Sequence, residues 1–154
     1  MLLHVTGTPA TGKSHFTRWL EATHGYIRWP SGDEPDASSS LDQIQSAVAE
    51  SSNVVLDWNV PPAGIPQVEL VQRWGFETWW FDGDRETGLE VFLARQDHPA
   101  TIADYRRYMD GIKQHWPRYQ SLFHDRQLDV LRPGPTFMPN EERLVAIEAY
   151  LRSP

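Results

Sequence analysis

The chain has 154 residues, 40% hydrophobic and 23% charged, with a formal net charge of −7 and no cysteine. That length supports one domain with a sizeable core. The absence of cysteine excludes a disulfide framework, thiolate chemistry and a cysteine-based zinc site. The acidic balance argues against a protein that grips a long nucleic acid by its backbone, and no apolar run reaches the roughly 18 residues of a membrane span.

In chain order, residues 2–6 form a short apolar, β-prone segment, and residues 15–21 place Phe16, Trp19 and Leu20 at helical spacing. Between them Gly7, Thr8, Pro9, Ala10, Thr11, Gly12, Lys13 and Ser14 read G-x-x-x-x-G-K-S, the phosphate-binding signature, in the strand–loop–helix context it requires. Gly7 and Gly12 let the backbone turn tightly and approach phosphate with no Cβ in the way. Successive N–H groups would point inward at the positive end of the helix. Lys13 would reach the β- and γ-phosphates of ATP, and the Ser14 hydroxyl would bind Mg²⁺. His15 opens the helix beside the loop and belongs with the expected nucleotide contacts.

Gly25 reads as the stop of that helix, residues 26–29 as a second strand, and residues 30–36 as a turn-rich acidic loop. Ser38, Ser39 and Ser40 offer N-caps for a helix to about Glu50, with Leu41, Ile44 and Val48 on one face. Residues 54–57 are an apolar strand ending in Asp57, as expected where both sheet faces are covered. A helix through Val68, Val71 and Trp74 closes at Gly75. Residues 76–81 are the next strand, and a helix follows from about Arg85 to Arg95. Thr101 caps a longer helix carrying Ile102, Tyr105, Met109, Ile112 and Trp116. A last strand at 127–131 precedes the turn Arg132, Pro133, Gly134, and Asn140 caps a terminal helix.

Strands alternate with helices, which predicts an α/β three-layer sandwich with a five-stranded parallel sheet flanked by helices. A single domain over 1–154 is expected, with a short lid around 95–118. Ligands bind such sheets at the carboxyl ends of the strands. That rule selects the phosphate loop and the residues after each later strand.

Several stretches, taken in order, resemble the P-loop kinases, and most closely their polynucleotide kinase-like branch. These are the loop 7–14, Asp33 after the second strand, residues 54–59 ending in Asp57-Trp58-Asn59, and residues 79–82 before a helix that ends in Arg95. The resemblance implies a P-loop NTPase fold of the nucleotide-kinase kind, ATP and Mg²⁺ as cofactors, and Arg95 as a lid residue. It also implies that Arg132, Pro133 and Gly134 pack on the adenine. The family's lid commonly holds a second arginine. None follows Arg95 closely here, and Arg85, Arg106, Arg107 and Arg118 are the candidate substitutes.

A kinase must hold the nucleotide, activate an acceptor hydroxyl and neutralise charge as the phosphoryl group moves. Asp33 is the first choice as base or orienter, with Glu34 and Asp36 close to it; a solvated turn carboxylate is the alternative. Asp57 could hold Mg²⁺ through water or fix the acceptor with Asn59, or simply cap its own turn. Arg95 suits a transferring phosphoryl because its planar fork bonds two oxygens at once. Trp29 and Trp58 follow strands on the ligand side and could stack a flat acceptor.

The reading is an ATP-dependent kinase acting on a hydroxyl or phosphate of a nucleoside, nucleotide or nucleic acid end, with other hydroxylated compounds open. The alternative is a P-loop nucleotide-binding module or slow NTPase switch. No membrane association and no obligate protein partner are expected. The N-terminus reads as a strand rather than a secretory signal, so a cytoplasmic home is expected.

Overall fold

The computed structural model describes residues 1–33, 39–95 and 101–152, and the side chains of 30–40 lie outside that description. In order it builds β1 (Leu2–Gly7), α1 (Lys13–His24), β2 (Ile27–Asp33), α2 (Ser39–Glu50), β3 (Val54–Asn59) and α3 (Ile65–Arg73). Then follow β4 (Glu77–Gly83), α4 (Arg85–Leu93), α5 (Ile102–Gln114), α6 (Trp116–Phe123), β5 (Gln127–Arg132), β6 (Thr136–Phe137) and α7 (Asn140–Arg152). The strand order is β2-β3-β1-β4-β5-β6.

Five strands pair in parallel, as expected, but the sheet is mixed and six-stranded. β6 adds antiparallel to β5 through Leu131–Phe137 and Arg132–Thr136. The turn read at Arg132–Gly134 is therefore a hairpin. Its two residues of pairing are too short for a periodic signal.

The second correction concerns β2. Residues 30–33 are strand rather than loop, because pairing with β3 resumes at Gly32–Trp58 and Asp33–Asn59 after an irregularity beyond Trp29–Leu56. Three steps along β2 match two along β3, so one extra residue is accommodated near Pro30. Proline lacks an N–H, and it is tolerated in an edge strand at such a bulge. β3 likewise continues two residues past Asp57, so Trp58 and Asn59 belong to the strand.

Alternation along the strands divides the core. Leu3, Val5, Val55, Trp79 and Phe81 meet Phe16 and Leu20 of α1 and Leu144 and Ile147 of α7 on one face. On the other, Val54, Leu56 and Trp58 meet Ile44 and Ala47 of α2 and Val71 of α3. Trp80 packs there with Ile65, Val68, Tyr119 and Phe123. Each buried Val, Leu, Ile and Phe among them contributes about 1.5–3 kcal/mol by leaving water. Two of the helix signals read from sequence hold, while Asn140, expected to cap α7, is instead its first helical residue. Gly25 ends α1 at φ 67°, and Thr101 forms a capping box with Asp104 at the start of α5. The long helix expected through Trp116 breaks at His115, and Pro117 lies in the first turn of α6, where a missing N–H costs little.

Among the described residues no helix is long and apolar enough to cross a membrane. All five parallel strands finish at one edge of the sheet. Gly7, Asp33, Asn59, Gly83 and Arg132 stand there together.

Candidate functional site: the phosphate loop at the strand ends

β1 delivers its last residue into a space that only glycine fills. Gly7 has φ +138°, and a Cβ there would lie 2.0 Å from the Phe81 carbonyl oxygen. The same carbonyl accepts the Thr8 N–H at 3.0 Å, which hooks the loop to β4. The Thr11 hydroxyl donates to the Thr8 carbonyl at 2.8 Å and tightens the turn. Ala10 takes φ 66°, costly for a residue with a Cβ, and is held there by burial against Phe92 of α4 and Tyr105 of α5. Gly12, at φ 74°, precedes α1 with no side-chain cap, and no acidic residue stands in the first turn of that helix. The orphan N–H groups at the start of α1 are therefore offered to an external anion.

Lys13 is folded over this cradle. Its Nζ donates to the Thr8 carbonyl at 2.8 Å and the Gly7 carbonyl at 3.4 Å, and the side chain is 93% removed from solvent by its 7% exposure. Burial pushes its pKa down to about 8; the Asp57 charge works against that and the Arg95 charge with it. Lys13, Asp57 and Arg95 thus share one electrostatic field, although they come from three elements of the chain.

Asp57 is 2% exposed at the carboxyl half of β3. Arg28 of β2 donates to its Oδ2 at 3.0 Å, and the Thr17 hydroxyl donates to the same oxygen at 3.1 Å. The Arg28 Nε also donates to Thr17 Oγ1 at 3.0 Å. Both of these contacts on the carboxylate fall on Oδ2. Asp82 stands one residue before the end of β4 and is also held by side chains. It accepts from Thr8 Oγ1 at 3.2 Å and takes a two-pronged pair from Arg85 at 2.6 and 3.1 Å.

The remaining expected residues divide. The β5–β6 hairpin carrying Arg132, Pro133 and Gly134 stands beside the loop, since a Cβ on Gly12 would lie 3.5 Å from the Phe137 ring. His15 Nδ1 faces Asn140 Nδ2 at 3.3 Å. Arg95 follows α4 with its guanidinium 5.2 Å from the centroid of Phe92 and is exposed. Asp33 pairs by backbone with Asn59 at the strand ends, its side chain outside the description; Glu34, Asp36 and residues 96–100 of the lid lie outside the described residues altogether. Trp58 is 4% exposed and packed in the core against His4, with ring centroids 5.4 Å apart, so neither of its faces is open to a ligand. Trp29 is half-buried against the same cluster. Of the substitute cations, Arg107 pairs with Asp104 on α5, and Arg85 pairs with Asp82, which also accepts from Thr8 of the loop.

Three contributors escaped the sequence reading. Arg28 sits at an inward position of β2, where a charge needs a partner; that mismatch was a usable signal. Thr17 gave none, being an ordinary helix residue. Arg143 of α7 is 2% exposed, and it falls four residues before Ile147 on the apolar stripe of that helix, which was the sign of it.

No protein family matches the sequence, and no curated protein does. Among solved structures the chain is similar to a gluconokinase from Sinorhizobium meliloti 1021, at 14% identity and a TM-score of 0.56, over 99% of this chain and 97% of that one. The likeness supports the P-loop kinase fold and gives the polynucleotide kinase-like branch no support. The chain accordingly has an α/β fold like that kinase, with its sequence signature for phosphate at the start of α1.

Proposed function

We propose that this protein is an ATP-dependent kinase that phosphorylates a hydroxyl of a small polar acceptor of the sugar or sugar-acid kind. The observation that carries the reading is the uncapped start of α1, with Lys13 folded over the carbonyls of Gly7 and Thr8. The acceptor class is drawn from the gluconokinase likeness. Burial of Trp58 also favours a small polar acceptor over a stacked base.

In this reading the N–H groups of residues 12–14 and Lys13 bind the polyphosphate. The Ser14 hydroxyl and the Asp57 carboxylate would supply hard oxygen donors of the type Mg²⁺ prefers, and Arg28 and Thr17 orient Asp57. A divalent cation held there would supply positive charge to offset the charge that develops during transfer. Asp33, at the strand end beside Asn59, accepts or orients the acceptor proton, and Arg95 meets the transferring group. Arg132, Pro133 and Gly134 border the nucleotide on the hairpin side, near His15. Trp29 and Asn59 border the acceptor.

The test is a transfer screen with labelled ATP and Mg²⁺ against sugars, sugar acids, nucleosides and 5′-hydroxyl oligonucleotides. Label is expected on a small polyol or sugar acid, absent with Lys13→Ala, and lowered about a hundredfold with Asp33→Asn. Label on oligonucleotides alone would overturn the acceptor class. Hydrolysis indifferent to every acceptor would overturn the kinase in favour of a nucleotide switch.

A further inference from the structure

Arg143 is the second largest of the fully buried side chains, and among the described residues no carboxylate pairs with it. Its Nε donates to the Met138 carbonyl at 2.8 Å, just past β6. Its Nη1 lies 3.3 Å from the Gly12 carbonyl and 3.5 Å from the Thr11 carbonyl. The guanidinium carbon is 5.5 Å from the Phe81 ring centroid and 5.9 Å from that of Phe16, so aromatic faces stand in for lost water. Burial pulls its pKa down to about 10, which still leaves it charged at neutral pH.

A buried cation without an anion is costly, and apolar residues would serve packing better. The placement of its bonds supplies a reason. In a trans peptide the C=O and the next N–H point in opposite directions. Holding the Thr11 and Gly12 carbonyls backward therefore aims the N–H groups of Gly12 and Lys13 forward, into the cradle. The Gly12 carbonyl is held twice, since it also accepts the Phe16 N–H at 3.0 Å. Arg143 further joins the loop to the β5–β6 hairpin, so the two sides of the nucleotide site share one anchor.

We propose that Arg143 is a positioning residue for the nucleotide: it sets the two peptide planes that face the phosphates, and its unpaired charge is balanced when the polyphosphate arrives. This rests on the reading of residues 7–14 as a nucleotide cradle. It assigns the C-terminal helix a part in binding phosphate rather than in packing alone.

Arg143→Met keeps the length and removes the charge and the donors; Arg143→Lys keeps the charge and loses the fork. Dissociation constants for Mg²⁺-ADP and for inorganic tripolyphosphate are measured by titration calorimetry, beside thermal unfolding. We expect Arg143→Met to weaken both ligands about tenfold or more, and Arg143→Lys to recover part of the loss. KM for ATP should rise in step while KM for the acceptor moves less than about twofold. A folded Arg143→Met that binds both ligands within about twofold of wild type overturns the proposal. Should that variant not fold, Arg143→Lys decides: a rise in the ADP constant of about threefold or more supports it, and no rise overturns it. If wild type itself binds neither ligand, the cradle reading fails and this inference with it. If wild type binds and the variants bind equally, only this inference fails.

Discussion

Three glycines with left-handed backbones separate backbone strain from collision. Gly25, Gly12 and Gly7 have φ of +67°, +74° and +138°. A Cβ on Gly25 would meet nothing within 4 Å, and one on Gly12 would make only ordinary contacts, 3.4 Å from an Arg143 nitrogen and 3.5 Å from the Phe137 ring. On Gly7 it would lie 2.0 Å from the Phe81 oxygen and 2.6 Å from its nitrogen, both fixed backbone atoms. Gly25→Ala should therefore cost about 1 kcal/mol, the price of the left-handed region alone, and Gly12→Ala about the same. Gly7→Ala adds a collision that relaxes only if β1 and β4 part, which breaks the Thr8–Phe81 bond and brings the loss to about 3–5 kcal/mol. For a chain of this size that is a fall in Tm of about 10 °C, against about 2–4 °C for Gly25→Ala. Denaturant unfolding and calorimetry at neutral pH measure all three. A Gly7→Ala protein as stable as Gly25→Ala would refute the claim that β4 closes against the loop at this residue.

Two further predictions concern protons. Lys13, held near 8 by burial against its ordinary 10.5, should be largely neutral at pH 9 and regain a proton when phosphate arrives. Calorimetry of ADP binding at pH 9 in two buffers of different ionisation heat should show proton uptake in wild type and none in Lys13→Met; its absence from wild type refutes the shift. The sign for stability follows: between about 8 and 10.5 the unfolded chain binds the proton and the native state does not, so this group makes the protein gain stability as pH rises. His4 is buried at 0% exposure on β1, and burial pushes its pKa down to about 3. Below its ordinary 6.5 the unfolded chain takes up a proton that the native state refuses. Stability should therefore fall by about 1.4 kcal/mol per pH unit from this residue alone. His4→Leu should flatten the acid limb of stability against pH between 6.5 and 4.5, and an unchanged slope would remove His4 from the acid response.

What the order of residues determined by itself is local. The strand–loop–helix signature at 7–14, the stop at Gly25, the capping box at Thr101 and the α/β alternation all depend on neighbours within a few positions. Backbone dihedrals, caps and periodicity act at that range. The tertiary structure decided everything that needed two distant segments in one place. It took pairing with β3 to draw residues 30–33 into β2, and a sheet face covered by α2 and α3 to bury Trp58 where a stacking surface had been expected. Only contact between β2, β3 and α1 could give Asp57 its partners Arg28 and Thr17. Arg143 reaches the phosphate loop across 131 positions of sequence, a separation at which no periodic pattern carries information and only the packed core chooses the neighbour.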